Sequence, residues 1–134
     1  MEKLLLGIDI GTSGCKVAIF DLQGKVVAQA TKEYKVYYPF PGYVEQNPNE
    51  WWESICVAIK ETIATAKINS RQIAGIGIDG QSWSAIPVDK QGNVLHNTPI
   101  WMDTRAADIC KDTVERIGFD RIRSEKLRWN RAFR

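Results

Sequence analysis

A chain of 134 residues has the length of one domain, large enough to bury a core and too short for a large two-domain enzyme. Hydrophobic residues make up 44% and charged residues 25%, which excludes wholesale disorder and collagen-like or low-complexity chains. The net charge of +2 is too weak a field to make nucleic acid or an anionic membrane the main partner.

The run Leu4 to Ile10 reads as a buried strand, closed by Gly11-Thr12-Ser13-Gly14. Asp9 interrupts its apolar core, so the segment is too short for a signal peptide or a membrane span. Lys16 to Asp21 is β-branched and aromatic, Leu22 to Lys25 has turn chemistry, and Val26 to Tyr38 alternates loosely, with Val26, Ala28 and Ala30 on one face. Three sequential strands with short links predict an antiparallel meander. Pro39-Phe40-Pro41-Gly42 then forms a connection, because two prolines remove ladder donors.

A helix is predicted from Pro48 to Ala66. Asn47 is its N-cap, Pro48 its first residue, and Glu50 stands where it can reach back to the cap. Trp51, Trp52, Ile55, Ala58, Ile59 and Ile63 make its apolar stripe, so the two tryptophans read as packing, not as a binding cage. Ile73 to Gly80 is a second buried-strand candidate. A hairpin is expected from Ser84 to Val88 and Val94 to Ile100, and last a helix capped by Asp103 or Thr104, with Ala106, Cys110, Val114 and Ile117 on one face and Gly118 at its end. The fold class is therefore α/β, a three-strand meander followed by helix-strand units.

Cys15, Cys56 and Cys110 form neither a disulfide framework nor a metal motif, which suits a reducing, cytoplasmic setting. His96 has no Ser, Asp or Cys partner nearby and reads as a loop residue. Arg123, Lys126, Arg128, Arg131 and Arg134 stand against Glu125, so a mildly acidic body is followed by a basic tail at residues 123–134.

Asp9-Ile10-Gly11-Thr12-Ser13-Gly14-Cys15-Lys16 is the sharpest chemical feature. Glycines let backbone N–H groups converge on an oxyanion, Thr12 and Ser13 add donors, Lys16 adds a cation, and Asp9 can hold a hydrated Mg²⁺. The alternative is a hairpin turn with an incidental aspartate. Gly75-Ile76-Gly77-Ile78-Asp79-Gly80 matches G-x-G-x-x-G, but its glycines lie inside a strand and no helical period follows, so a nicotinamide site is disfavoured. Gln81, Ser82 and Trp83 at that strand's end, and Trp101 with Asp103 before the last helix, offer hydroxyl partners and indole faces suited to a sugar. Capping by Asp103 and packing by Trp101 are the competing readings.

The segments GIDIGTSGCKVAIFD at 7–21, GYVEQNPNEWW at 42–52, GIGIDGQSW at 75–83 and PIWMDTRA at 99–106 together resemble the N-terminal part of the FGGY family of carbohydrate kinases, most closely the xylulose kinase branch. The resemblance implies an actin-like, ribonuclease H-like ATPase domain that binds ATP and Mg²⁺. It further implies a small-molecule sugar as partner, with no nucleic acid and no membrane. Asp9 looks like the family's metal-proximal aspartate, Gly11, Thr12 and Ser13 like its first phosphate loop, and Lys16 like the trailing basic position. Gln81, Ser82, Trp83, Trp101 and Asp103 fall where family members contact the sugar. The family's catalytic base lies beyond residue 134, so no catalytic base is assigned in this chain.

Xylulose kinases commonly carry Met-His where this chain has Ser82-Trp83, which leaves ribulose, a hexulose or gluconate open as substrate. The resemblance breaks after Arg121-Ile122, which predicts a domain at 1–122 that is incomplete, followed by an atypical tail from a truncated or frame-shifted reading frame. An incomplete sheet leaves an unpaired edge, hence an expected homodimer or other self-association. A non-catalytic sugar- or nucleotide-binding module and an actin-like assembly protein are the readings from other classes.

Overall fold

The computed structural model describes residues 3–82 and 84–124. Its strands are β1 (Leu4–Ile10), β2 (Gly14–Phe20), β3 (Val26–Glu33), β4 (Glu45–Gln46), β5 (Ile73–Gly80) and β6 (Thr98–Pro99), with helices α1 (Pro48–Ala66) and α2 (Ala107–Ile117). The first three strands form the predicted antiparallel meander, and β5 joins it in parallel beside β1, giving the order β3-β2-β1-β5. A parallel partner requires a crossover, and α1 supplies it.

Alternation along β1 and β2 decides the two faces of this sheet. Leu4, Leu6 and Ile8 join Cys15, Val17 and Ile19 and the small Ala30 on the inner face, where Ile55 and Ala58 of α1 close the core. Each leucine, isoleucine or valine among them contributes about 1.5–3 kcal/mol when fully buried. Thr62 is also buried on this seam; its hydroxyl donates to Ala58 O at 2.7 Å, which satisfies a polar atom that the helix carries into the core. Of the paired tryptophans, Trp51 is 9% exposed and Trp52 68%, so one is core and the other surface.

The cap of α1 departs from expectation in one respect. Asn47 accepts from Asn49 N at 3.0 Å, but Glu50 does not reach back to it. Instead the Glu50 carboxylate accepts from the Tyr37 hydroxyl and from Lys35 N, because the chain after β3 passes directly over the helix start. The helix ends at Lys67 in a left-handed conformation, its N–H returned to Ala64 O and Ile63 O.

Three further expectations are corrected. β5 is not buried: Ile76 is 62% and Ile78 70% exposed, because α1 lies over β2 and β3 and does not reach the β5 edge. The hairpin after β5 shrinks to a single Val88–Val94 bridge, its turn held by the Asp89 carboxylate, while the second arm leaves to pair as β6 with β4. Pro87 in the first arm and Pro99 within the second each remove a ladder donor and deny the hairpin a continuous ladder. Finally, neither Asp103 nor Thr104 caps α2, whose N-cap is Ala106 without a side-chain bond. Gly118 does end α2, at φ +88°, but none of the helix's residues is buried.

No helix among the described residues is long and apolar enough to cross a membrane. Cys15 is buried, Cys56 half-buried and Cys110 exposed, all as free thiols.

Candidate phosphate and polyol site

The carboxyl ends of β1 and β5 lie side by side, and the chain turns back into β2 at the same place. Cα register pairs Asp9 with Lys16 on one side and with Asp79 on the other. These three side chains therefore share the outer face of the sheet, opposite α1. All three are exposed. Below them Gly7, Ala18 and Gly77 leave a floor without bulk, and the cavity of about 400 Å³ that results is bounded by Phe20 and Ile78. Asp79 is the member that sequence reasoning did not assign; only the β1–β5 register brings it beside Asp9.

The loop from Gly11 to Ser13 is held by its carbonyls. The Tyr34 hydroxyl donates to Gly11 O, the Gln46 amide donates to Thr12 O at 2.7 Å, and Tyr34 N donates to Ser13 O at 3.4 Å. Gly11 N is taken up by Gly14 O at 3.0 Å, whereas the N–H groups of Thr12 and Ser13 have no hydrogen-bond partner among the described residues. A loop whose acceptors are turned into the protein and whose donors are left free has the polarity of an anion cradle. Burial pushes the Tyr34 phenol up to about 12, with the Cys15 and Asp9 charges adding to it, so Tyr34 remains a donor to the loop at every physiological pH.

At the end of β5, Gln81 N donates to Ile10 O at 2.8 Å, which fastens the residue after β5 to the end of β1. Its side-chain Nε2 donates to Gln46 Oε1 at 2.7 Å, and its Oε1 is buried with no partner among the described residues. Trp101 is 62% exposed, and its indole N–H donates to Thr12 Oγ1 at 3.0 Å. Thus the structure brings Trp101, Gln81 and the phosphate-type loop together across more than eighty residues of sequence. Ser82 is exposed beside them, and Trp83 lies outside the described residues.

Asp103 stands differently. Its carboxylate accepts from Val44 N at 2.8 Å and from the Arg105 guanidinium at 2.7 Å, and Arg105 also bonds Glu45 at 2.6 Å while stacking 3.8 Å over the Tyr43 ring. The Arg105 hydrogen bonds, with those from Val44 and Arg105 backbone N–H groups, hold the Asp103 carboxyl down at about 2. Gly42 completes this corner: at φ +81° it makes a turn that a side chain resists, and its carbonyl receives Thr104 N at 2.9 Å. Arg105 and Tyr43 were missed in the sequence because an ion pair sixty residues apart has no local signature.

The Asp103 shift fixes a sign. Its folded pKa lies below the unfolded value of about 3.9, so the pair stabilises fully above about pH 4 and is lost as pH falls through 2. Asp103→Asn should therefore flatten the acid limb of stability between about pH 4 and pH 2, read as urea midpoints across that range. An unchanged limb would mean that Arg105 does not hold the carboxylate.

The G-x-G-x-x-G run lies entirely within β5, and no helix occurs among the described residues between 81 and 97, so it does not build a dinucleotide turn. His96 is exposed, its ring bonded to the neighbouring Asn97 O.

The profile of the FGGY family of carbohydrate kinases, N-terminal domain, matches residues 4–130. The chain belongs to this family. Among FGGY relatives, glycerol kinase from Bacillus subtilis (strain 168) is 36% identical over 126 residues, covering 93% of this chain and 25% of the relative. The crystal structure of gluconate kinase from Lactobacillus acidophilus superposes with a TM-score of 0.78 at 29% identity, covering 88% of this chain and 23% of that one. Xylulose kinase from Rhodospirillum rubrum gives a TM-score of 0.79 at 26% identity, covering 86% and 24%. The chain thus spans about a quarter of the length of these FGGY kinases, and its meander-helix-strand order is the beginning of the actin-like, ribonuclease H-like fold.

Proposed function

We propose that this chain supplies the first phosphate loop and one wall of the sugar site of an ATP-dependent carbohydrate kinase. The observation that carries the reading is the loop Gly11–Ser13, with every carbonyl anchored and the Thr12 and Ser13 amides free beside Asp9 and Lys16. Phosphoryl transfer needs positioning and charge neutralisation more than covalent chemistry from the protein, and these groups provide both for the terminal phosphates of ATP.

Mg²⁺ fits the outer face. It keeps several waters and binds through one or two carboxylates together with phosphate oxygens, which suits Asp9 with Asp79 on the adjacent strand. The ion would neutralise phosphate charge there; Lys16, on the other side of Asp9, adds a fixed cation. Trp101 offers an indole face, Gln81 Oε1 an unused acceptor, and Ser82 a hydroxyl for a polyol. Asp103 acts in this reading by fixing the Trp101 corner through Arg105 and Val44 N. D-xylulose is the first candidate substrate on the residue resemblance and the structural likeness to a xylulose kinase, with glycerol and gluconate as rivals from the other relatives. In this reading the general base that takes the sugar proton is none of the residues assigned here, and a reducing, cytoplasmic setting suits the free thiols of Cys15, Cys56 and Cys110.

Titration of ¹⁵N-labelled protein with Mg·ATP tests this. Shifts should concentrate at Thr12, Ser13 and Lys16, and Asp9→Asn should weaken Mg·ATP binding about tenfold while leaving metal-free ATP unaffected. Shifts absent from the loop would overturn the reading, and robust phosphorylation of D-xylulose by the 134-residue chain would refute an external base.

A further inference from the structure

Gln46 is 0% exposed, and its amide bonds three separate elements. Oε1 accepts from Trp51 Nε1 on α1 at 3.2 Å and from Gln81 Nε2 after β5 at 2.7 Å, while Nε2 donates to Thr12 O in the phosphate loop at 2.7 Å. The orientation of this amide is dictated by its surroundings. An indole N–H can only donate and a carbonyl can only accept, so a flipped amide would face Trp51 with a donor and Thr12 with an acceptor.

Enclosing an amide costs free energy unless each end is paired, and an apolar residue would fill the same space more cheaply. The glutamine is therefore explained by what it joins. Thr12 is gripped from two directions, its carbonyl by Gln46 and its hydroxyl by the Trp101 indole, while Gln81 is tied both to Gln46 and to Ile10 O. No shorter path links the loop to Gln81 through side chains among the described residues.

We infer that Gln46 is a positioning residue that locks the phosphate loop in register with the strand end carrying Gln81, so that a phosphate on one and a polyol on the other are held at a fixed separation. The inference rests on the kinase reading for the identity of the two ligands, but not for the lock itself. Gln46 touches neither ligand. It acts through Thr12 and Gln81, and its neutral amide does so independently of pH.

The test is ¹⁵N relaxation on the ligand-free full chain. In wild type the Thr12 and Ser13 amides should be as rigid as regular backbone, with order parameters near about 0.85. Gln46→Met keeps the volume and removes donor and acceptor; it should drop both amides below about 0.6 and shift the Trp101 indole N–H, with Val17 and Ile19 unchanged. Gln46→Glu retains the acceptor toward Trp51 and Gln81 but loses the donor toward Thr12, and should loosen the loop in the same way. Loop order parameters in Gln46→Met equal to wild type would overturn the lock. If neither variant folds, the wild-type values decide: a loop already below about 0.6 defeats the inference, and a rigid loop with a slowly exchanging Gln46 side-chain amide supports it. A rigid, Gln46-dependent loop that binds no Mg·ATP would sink the kinase reading while leaving the lock standing.

Discussion

Gly14→Ala should destabilise the chain by about 3 kcal/mol and remove the nucleotide binding proposed for it, the largest effect expected of any single methyl group near the loop. A Cβ at Gly14 would stand 2.6 Å from Lys32 O, 3.1 Å from Glu33 Cα and 3.2 Å from Lys32 C. All three atoms are backbone of β3, so no side chain can swing aside. The strands must part at the Gly14–Glu33 pair, where the loop enters β2 and where Tyr34, the residue after β3, holds Gly11 O and Ser13 O. Loss of packing and loss of the anion cradle are thus one event. Gly77→Ala is the control: nothing lies within 4 Å of its added methyl, and the change should stay within about 0.5 kcal/mol. Urea midpoints of the two variants give the comparison, and equal midpoints would show that β3 does not press on Gly14.

The isolated chain should self-associate, with an apparent mass that rises with concentration, and Ile78→Lys should return it to monomer. Among the described residues β5 has a strand partner only on its β1 side, and it is flanked by apolar side chains that α1 does not cover. Exposed hydrogen-bonding groups next to exposed isoleucines form a template for a second strand. A lysine at 78 places charge on both the edge and the adjoining face, and burying it unpaired is costly. Sedimentation velocity from low to high protein concentration reads the effect. A monomer throughout would mean that the β5 edge is not a contact surface; association unchanged by Ile78→Lys would place the contact elsewhere, with the exposed α2 face next to be tested.

Much of the fold was legible because its signals are local. The periodicity of Trp51, Ile55 and Ala58, the Asn47-Pro48 start, and the alternation of β1 and β2 each depend on neighbours within a turn or a pleat, and α1 falls on the predicted bounds. The loop at Gly11–Gly14 was legible for the same reason, since glycine and hydroxyl density there is a property of four consecutive residues. What failed was whatever depended on a distant partner. Ile76 and Ile78 read as buried because their apolarity is local, whereas their exposure follows from where α1 comes to lie. The second hairpin arm read as pairing with its neighbour, but β4 took it instead.

The sequence by itself therefore determined the strand-loop-strand cradle, the helix that backs it, and the family to which both belong, since each is written in short contiguous segments. Only the tertiary structure decided that Asp79 stands beside Asp9, that Arg105 engages Glu45, and that Gln46 joins the loop to Gln81. Parallel register and long-range side-chain bonds form between residues tens of positions apart, and a one-residue slip of β5 against β1 would turn Asp79 to the opposite face.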